Sequence, residues 1–260
     1  MPAAFPFTTE ETMMEHPFLR CEMLWGPEAQ QRLAQSHVIL FGLGGVGSYV
    51  AESLARAGVG ALTLVDNDTV ALTNLNRQLE ALHSTLGKTK AQAVADRLRD
   101  INPDLRLYPM CATYDAAHRD DFFPPDCGYD YIVDAIDLVS CKIDLVETAR
   151  RLHIPLIMAL GTGNKLDPSL LRVADLSETY GCPLARVMRK ELRKRGLEHV
   201  QVVFSPEEGV TPAQPEVPPP GRRSVPGSTP WVPAAAGLLI GSAVVRGLIA
   251  GQNDCKEKEM

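Results

Sequence analysis

The sequence predicts an α/β fold with a Rossmann-like, doubly wound and mostly parallel sheet, followed by a small C-terminal extension. Two observations predict it. Short apolar runs alternate with helical segments, and a glycine-rich segment joins the first run to the first helix. The first run, residues 37–42, predicts a buried strand, residues 45–57 predict the helix that follows it, and residues 61–65 predict the next strand.

The alternation continues along the chain and then changes. After Gly161 the segments are shorter, which indicates a satellite region attached to the main sheet. Segment 207–230 is rich in proline, glycine, serine and arginine and poor in apolar residues, so we expect a mobile loop. The remaining predicted helices lie at 88–101, 140–152 and 183–195, and the remaining predicted strands at 105–110, 131–135, 155–159, 170–174 and 200–204.

Composition restricts the class of protein. A formal net charge of −6 argues against a protein that coats nucleic acid with its whole surface, although a local basic patch is compatible with it. No two of the six cysteines are spaced as CxxC, so we expect a reducing cytoplasm and no structural zinc. Residues 231–251 are apolar enough for a marginal membrane span, but their glycines and Arg246 favour a packed C-terminal helix. We therefore expect no stable span, with membrane association through this helix left open.

The glycine-rich segment predicts a nucleotide site. Gly42, Gly44, Gly45 and Gly47 stand between a strand and a helix, where backbone amides and the helix N-terminus can approach phosphate oxygens. Asp66 ends the second strand, where its carboxylate suits a ribose hydroxyl. This pattern alone does not choose between NAD and ATP.

Charged residues beyond the second strand favour ATP. Arg77 and Lys90 can bind a triphosphate and neutralise the negative charge that builds as pyrophosphate leaves. A nicotinamide site does not need these cations. Asp134 and Asp137, near the end of a later strand, can hold Mg²⁺ through carboxylate oxygens. Lys88 and Lys142 are expected to be exposed helix residues.

Five ordered motifs, GLGGVG, DND, NLNRQ, GKTK and DAID, resemble the adenylating domain of the ubiquitin-activating-enzyme-like (ThiF/MoeB) superfamily over about residues 16–175. The resemblance implies ATP with Mg²⁺ as cofactors and a homodimer. It implies that the four glycines line the phosphates, that Asp66 and the neighbouring Asp68 belong to the nucleotide site, and that Asp137 holds magnesium. Asn74, Arg77 and Lys90 would contact the triphosphate, and Arg20 would reach the ATP of a partner subunit.

Each assignment has a structural alternative. The glycines can serve close packing alone, and Asp66 or Asp68 can cap a turn or helix. Arg77, Lys90 and Arg20 can be solvated surface charges. Cys182 can act as a nucleophile, but a cysteine packed at a helix start is favoured.

Segments 166–179 and 183–195, after the sheet, resemble the tRNA threonylcarbamoyladenosine dehydratase branch. This resemblance implies that ATP adenylates a threonyl carboxylate on tRNA so that the side chain closes into a ring. Adenylation of the C-terminal glycine of a ubiquitin-like sulfur carrier is the alternative, with a sulfur-transfer partner protein. However, the paired CxxC zinc ligands often found in those branches are missing. A nucleotide-sensing scaffold without turnover is a third hypothesis.

A basic helix supports an RNA substrate. Leu184, Val187, Met188 and Leu192 form a predicted apolar stripe, which leaves a phosphate-binding face outward. A solvated helix face is the alternative, with Arg222 and Arg223 as other candidate tRNA contacts. The predicted tRNA-binding residues, called the basic face below, are Arg186, Arg189, Lys190, Arg193 and Lys194.

We therefore divide the chain into an ATP-binding adenylation domain at 1–175 and a C-terminal extension at 176–260, which carries the basic helix, the proline-rich loop and the apolar terminal helix.

Overall fold

Helices and strands alternate along the part of the chain that the computed structural model describes, residues 15–213 and 225–251. The strands are β1 (His37–Phe41), β2 (Ala61–Val65), β3 (Arg106–Met110), β4 (Tyr131–Asp134), β5 (Leu156–Ala159), β6 (Arg172–Asp175) and β7 (Gln201–Phe204). The α-helices are α1 (Leu19–Trp25), α2 (Pro27–Gln35), α3 (Gly47–Ala57), α4 (Lys90–Ile101), α5 (Arg119–Phe122), α6 (Val139–Leu152), α7 (Pro183–Arg193) and α8 (Trp231–Ala250).

The seven strands form one sheet in the order β3-β2-β1-β4-β5-β7-β6. All neighbouring pairs are parallel except β6 and β7, which are antiparallel. Strands β1 to β3 lie on one side of the sheet and strands β4 to β7 on the other, with β1 beside β4. This reversal creates a crevice at the carboxyl ends of β1 and β4, which is where open α/β sheets bind ligands.

The predicted C-terminal extension contributes to the same sheet. β7 pairs in parallel with β5 and antiparallel with β6, so the sheet continues across residue 175. α8 packs along α3 through small residues: a Cβ atom on Gly237 would lie 2.4 Å from the carbonyl oxygen of Val46, and one on Gly241 would lie 1.9 Å from Oγ of Ser53. Larger side chains would separate the two helices.

α8 is also the one helix of the described residues that is long and apolar enough to cross a membrane. Half of its most apolar window is buried inside the protein, against α3 and α2. This burial agrees with the favoured prediction of a packed C-terminal helix.

The structure departs from the sequence-based predictions in the N-terminal segment and on the packed face of α7. No helix or strand was predicted before residue 37, but α1 and α2 occupy 19–35, and α2 buries only Ala29, Gln30 and Leu33. In α7, Val187 is exposed and Ala185 is buried in its place, because the face packed on the sheet is rotated toward Ala185, Met188 and Leu192. Of the mobile loop predicted at 207–230, residues 214–224 lie outside the described residues, and residues 207–213 and 225–230 contain no helix or strand.

Candidate active site

A cleft of about 1080 Å³ opens at the carboxyl edge of the sheet. One half is lined by the segments that follow β1, β2 and β4. The other half is lined by residues 159–165 after β5, the start of α7, and residues 207–209 and 226–228. Residues that are far apart in the sequence therefore share one continuous surface.

The glycine-rich turn forms the floor of the first half. Gly42 has a positive φ of 86°, and a Cβ atom there would lie 2.6 Å from the carbonyl oxygen of Ala135. Gly44 and Gly45 also line the cleft. Gly47 does not: it is buried at the start of α3, where a Cβ atom would lie 1.8 Å from the carbonyl oxygen of Gly42. Gly47 thus lets helix and turn meet, Gly42 lets the turn approach the loop after β4, and Gly44 and Gly45 lie at the surface of the cleft.

Asp66 and Asp68 organise the edge of the cleft beside this turn. One carboxylate oxygen of Asp66 accepts a hydrogen bond from the backbone N–H of Leu43 (2.7 Å), and the other accepts from that of Asp68 (2.8 Å). Asp68 in turn forms an ion pair with Lys90, with Oδ2 and Nζ 2.8 Å apart. Asp66 therefore caps a turn and also faces the cleft, so the structural and ligand-binding roles do not exclude each other.

The cations and the amide predicted to contact a triphosphate lie together in the same half. Arg77, Asn74 and Lys90 all line the cleft. The Arg77 guanidinium donates to the backbone carbonyl of Thr73 and to Oδ1 of Asn76, both at 2.8 Å. Lys90, at the first turn of α4, is only 5% exposed. Arg77 and Lys90 therefore border one space, with Lys90 paired to Asp68, and two cations beside one space suit a polyphosphate.

The two aspartates predicted to hold magnesium have different environments. Asp137 is exposed and lines the cleft, but Asp134 is fully buried beneath it. Asp134 pairs with Lys142 (Oδ1 to Nζ, 3.1 Å), which also donates to the carbonyl oxygen of Ala159 (2.8 Å). The expectation that Lys142 is exposed is wrong, because it neutralises this buried carboxylate and joins the ends of β4 and β5. Burial raises the pKa of Asp134 and Lys142 opposes that rise. Asp137 alone remains as the candidate metal ligand of the pair.

Comparison with known proteins decides the family. The family model described as the ThiF family matches residues 19–254. The chain belongs to the ThiF family.

Relatives of this ThiF-family chain carry the names of RNA-modifying enzymes. A Bacillus subtilis (strain 168) protein named tRNA threonylcarbamoyladenosine dehydratase is 40% identical over 245 residues, which make up 91% of this chain and 96% of that protein. An Escherichia coli (strain K12) protein of the same name is 41% identical over 204 residues, 73% of each chain. The crystal structure of Escherichia coli tRNA N6-threonylcarbamoyladenosine dehydratase in complex with ATP matches at a TM-score of 0.80 and 36% identity, covering 90% of this chain and 94% of that one.

The second half of the ThiF-family cleft is held together by Asn164 and Lys165. Asn164 exchanges two hydrogen bonds with Gly227: its N–H donates to the carbonyl of Gly227 (2.8 Å), and its Oδ1 accepts from the N–H of Gly227 (2.7 Å). Nζ of Lys165 donates to the carbonyl oxygens of Ser205 (3.0 Å) and Glu207 (2.6 Å). The described ends of the proline-rich segment are thereby attached to the rim of the cleft.

The basic face of α7 divides into residues with different surroundings. Arg186 lines the cleft and is exposed. Arg189 is half-buried and donates to the carbonyl oxygen (2.7 Å) and to the hydroxyl of Thr179. Arg193 lies 3.7 Å from Glu198, and Lys194 lies 2.7 Å from Glu191. Lys190 is exposed. The face is therefore cationic but partly neutralised, and Arg222 and Arg223, the alternative contacts, lie outside the described residues.

Cys182 and Arg20 have opposite environments. Cys182 borders the cleft at the start of α7 but is only 3% exposed, because it packs in a cluster with Leu176, Met188 and Phe204. Arg20 is exposed on α1 and does not line the cleft of its own chain. Its predicted role toward a partner subunit stays a prediction.

The lining residues that sequence reasoning missed include Gln78, Asn164 and Lys165. Gln78 is buried beside Gly44, and its amide oxygen has no hydrogen-bond partner within the described part of the chain. It stands within the NLNRQ motif, so its place beside Arg77 was a usable signal. Asn164 and Lys165 follow β5, and only the sheet order, which brings β5 next to β4, could have indicated them.

Proposed function

We propose that this protein uses ATP to adenylate the threonyl carboxylate of N6-threonylcarbamoyladenosine in tRNA and so converts that side chain into its cyclic form. The observation that carries the proposal is the continuity of one cleft from the glycine turn, Arg77 and Lys90 to Arg186 on the basic helix. The names of the relatives, which cover almost the same length of chain, favour the same reaction.

The chemistry proceeds in two displacements. The carboxylate oxygen attacks the α-phosphorus of ATP, and the bond to pyrophosphate breaks. The carbamoyl group of the same side chain then attacks the activated acyl carbon, loses a proton, and displaces AMP. Because both reacting groups belong to one molecule, the second step needs positioning more than a protein nucleophile. The packed environment of Cys182 agrees with a mechanism that does not require it.

The residues of the first half fit a nucleoside triphosphate. The turn at Gly42, Gly44 and Gly45 leaves backbone amides open to phosphate oxygens, and Asp66 stands at the end of β2, where a ribose would lie. We assign Arg77 and Lys90 to the polyphosphate charge that grows as pyrophosphate leaves.

Asp137 suits Mg²⁺, because this ion is usually bound by one or two carboxylates together with substrate phosphates and water. When bound, Mg²⁺ would supply positive charge to the phosphates. Asp137 would hold it through its carboxylate at the end of the loop that follows β4.

We further propose that Arg186, inside the cleft, contacts the modified nucleotide and that the rest of the basic face contacts the RNA backbone. Exposed cations suit phosphates without base specificity. We also propose a homodimer in which Arg20 reaches the nucleotide bound to a second copy. The exposure of Arg20 and its absence from its own cleft support this arrangement.

The test incubates the purified protein with ATP, Mg²⁺ and tRNA bearing threonylcarbamoyladenosine, followed by mass spectrometry of the nucleosides. We expect loss of one water from the modified nucleoside together with AMP and pyrophosphate release. Omission of ATP, or the use of unmodified tRNA, is the control. AMP formation only on addition of a small protein ending in Gly-Gly would favour the sulfur-carrier alternative. ATP binding without turnover on either substrate would favour a nucleotide-sensing scaffold.

A further inference from the structure

Tyr180 is an exposed aromatic side chain beside the second half of the cleft, and the proposed reaction does not use it. The residue is 52% exposed. The chain continues from it directly into Gly181, Cys182 and Pro183, which line the cleft at the start of α7. An aromatic ring in this place is available to a part of the substrate that stays outside the cleft.

The Tyr180 ring is held at the same edge of the sheet as the cleft. Phe204 ends β7, which is parallel to β5, and Arg172 begins the antiparallel strand β6 directly opposite Phe204. The rings of Tyr180 and Phe204 have centroids 5.9 Å apart and an interplanar angle of 74°. The guanidinium carbon of Arg172 lies 6.0 Å from the centroid of the Tyr180 ring. A Cβ atom on Gly181 would lie 2.5 Å from the carbonyl oxygen of Pro206, so the segment that carries Tyr180 lies tightly against the end of β7.

Cations without a counter-charge accompany this ring. Arg172 and Arg186 are both exposed, and neither forms an ion pair with a carboxylate within the described residues. At the other end of α7, by contrast, Arg193 and Lys194 are each paired with a glutamate. The unpaired positive charge therefore lies at the cleft end of α7 and at the start of β6, where it suits the phosphates of a nucleic acid.

The proposed reaction requires the modified adenosine to leave its base stack. The reacting side chain is attached to N6, the amino group through which adenine donates a hydrogen bond in a base pair, so this nucleotide is unpaired when it reacts. When its side chain enters the cleft, the neighbouring base loses its stacking partner on one face. Proteins that bind single-stranded RNA replace such lost stacking with aromatic side chains, and cations nearby contact the phosphates.

We propose that Tyr180 stacks on an unpaired nucleobase next to the modified adenosine and that Arg172 contacts the RNA backbone at that nucleotide. This inference rests on the proposed function, in which modified tRNA binds with its adenosine in the cleft. Every base has a flat aromatic face, so the contact adds affinity without base specificity. Arg172 lies at the outer limit of a cation–π contact with Tyr180, which leaves its guanidinium available to a phosphate.

The first experiment measures the dissociation constant of tRNA bearing threonylcarbamoyladenosine without ATP, so that no conversion takes place. We expect Tyr180→Ala to weaken binding about tenfold, because the stacked contact is lost. Tyr180→Leu should also weaken binding, since leucine still covers Phe204 but has no planar ring, and Tyr180→Phe should keep the wild-type affinity. Tyr108→Ala is the matched control: Tyr108 is 49% exposed and lies on β3, at the opposite edge of the sheet.

The salt dependence of binding separates the two contacts. Stacking releases no counterions, so Tyr180→Ala should leave the slope of log K against log salt concentration unchanged. Arg172→Ala should make this slope less steep by about 0.7, the value for one phosphate of a single strand. Arg150→Ala, which removes one charge from α6, should not change it. Every variant should bind ATP as wild type does, which would show that the cleft is intact.

The same contact can be removed from the RNA. Two modified tRNAs carry an abasic residue in place of the base on the 5′ or the 3′ side of the modified adenosine. We expect wild type to bind one of them about tenfold more weakly than intact tRNA. Tyr180→Ala should bind that abasic tRNA as well as it binds the intact one, because the contact is already absent.

Several results would overturn the inference. Equal tRNA affinities of wild type and Tyr180→Ala would show that Tyr180 does not contact the RNA. Wild-type affinity of Tyr180→Leu would mean that the side chain only covers Phe204. A change in oligomeric state of Tyr180→Ala by sedimentation would assign the ring to an interface between copies of this chain, and a loss of adenylation only toward a protein ending in Gly-Gly would assign it to a carrier protein.

Failure of the proposed function is distinguishable from failure of this inference. If wild type neither binds nor converts the modified tRNA, the proposed function is wrong and the inference falls with it. If wild type converts the tRNA and Tyr180→Ala binds and converts it equally well, only the role of Tyr180 is wrong.

Discussion

Replacement of Lys142 by methionine tests the buried ion pair beneath the cleft. Lys142 and Asp134 are both fully buried, and the lysine also donates to the carbonyl of Ala159. Lys142→Met keeps the length of the side chain but leaves a buried carboxylate without its counter-charge. Removing one partner of such a pair costs about 3–5 kcal/mol. In a chain of this size, this corresponds to a fall in Tm on the order of 10 °C.

The loss should depend on pH. Without Lys142 nothing offsets the burial of Asp134, so the pKa of its carboxyl rises further above the unfolded value. A folded state that binds more protons than the unfolded chain loses stability as pH rises, so the variant should be less impaired at pH 5 than at pH 8.

Urea denaturation of wild type, Lys142→Met, Asp134→Asn and the double variant measures the coupling. Asn at position 134 can still accept the hydrogen bond from the N–H of Ile136 (3.1 Å), so the double variant should recover most of the stability. A single variant that loses less than about 1 kcal/mol would contradict the account, since breaking a buried pair costs more than this. A double variant no more stable than Lys142→Met would also contradict the account of the buried ion pair.

Three further predictions concern the site. Asp137→Ala should lower the rate of adenylation at least a hundredfold, which is on the order of 3 kcal/mol in activation free energy. Its Tm should stay close to that of the surface control Asp120→Ala. A near wild-type rate of pyrophosphate release would make Asp137 a structural residue. Lys190→Ala with Arg193→Ala should weaken tRNA binding and make log K against log salt concentration less steep, by roughly 0.8 for each RNA phosphate that the protein no longer neutralises. Arg150→Ala with Arg151→Ala removes the same charge from α6 and should change neither quantity. Filter binding over a salt series measures both, and unchanged values for the first variant would move the RNA-binding surface elsewhere. Arg20→Ala and Asp137→Ala proteins should each be inactive alone and should regain roughly a quarter of wild-type activity when mixed and reassociated. Half of the dimers would then be mixed, and each mixed dimer would have one site with an intact Asp137 and an intact Arg20 from the other protomer. No recovery would mean that Arg20 does not act on the nucleotide of the other protomer.

The strands that form the floor of the cleft were predictable because buried parallel strands appear in a sequence as short continuous apolar runs. β2 has the predicted bounds, and β1, β4 and β5 differ from theirs by one residue at an end. Gly42, Arg77, Lys90 and Asp137 also line one cleft, as their motifs predict, because each follows a strand or opens a helix at the same sheet edge.

Apart from the helices α1, α2 and α5, which were not predicted, the errors concern burial rather than secondary structure. Lysine is normally exposed, so nothing in the sequence around Lys142 indicates a fully buried ammonium group with a carboxylate from another element. Asp134 and Asp137 are only three residues apart, yet one points beneath the sheet edge and the other into the cleft.

The contact between α8 and α3 has a consequence for the order in which the protein can be completed during synthesis. The glycine turn and α3 leave the ribosome before α8, the helix that covers α3. Val50 and Leu54 of α3 and the glycine-lined face of α8 belong to one apolar cluster, so a nascent chain that has not yet released α8 exposes the rear of its own nucleotide site. Chains that stall before this point present apolar surface of the kind that chaperones and proteases recognise. The nucleotide site at the glycine turn is therefore fully packed only after α8 has been made.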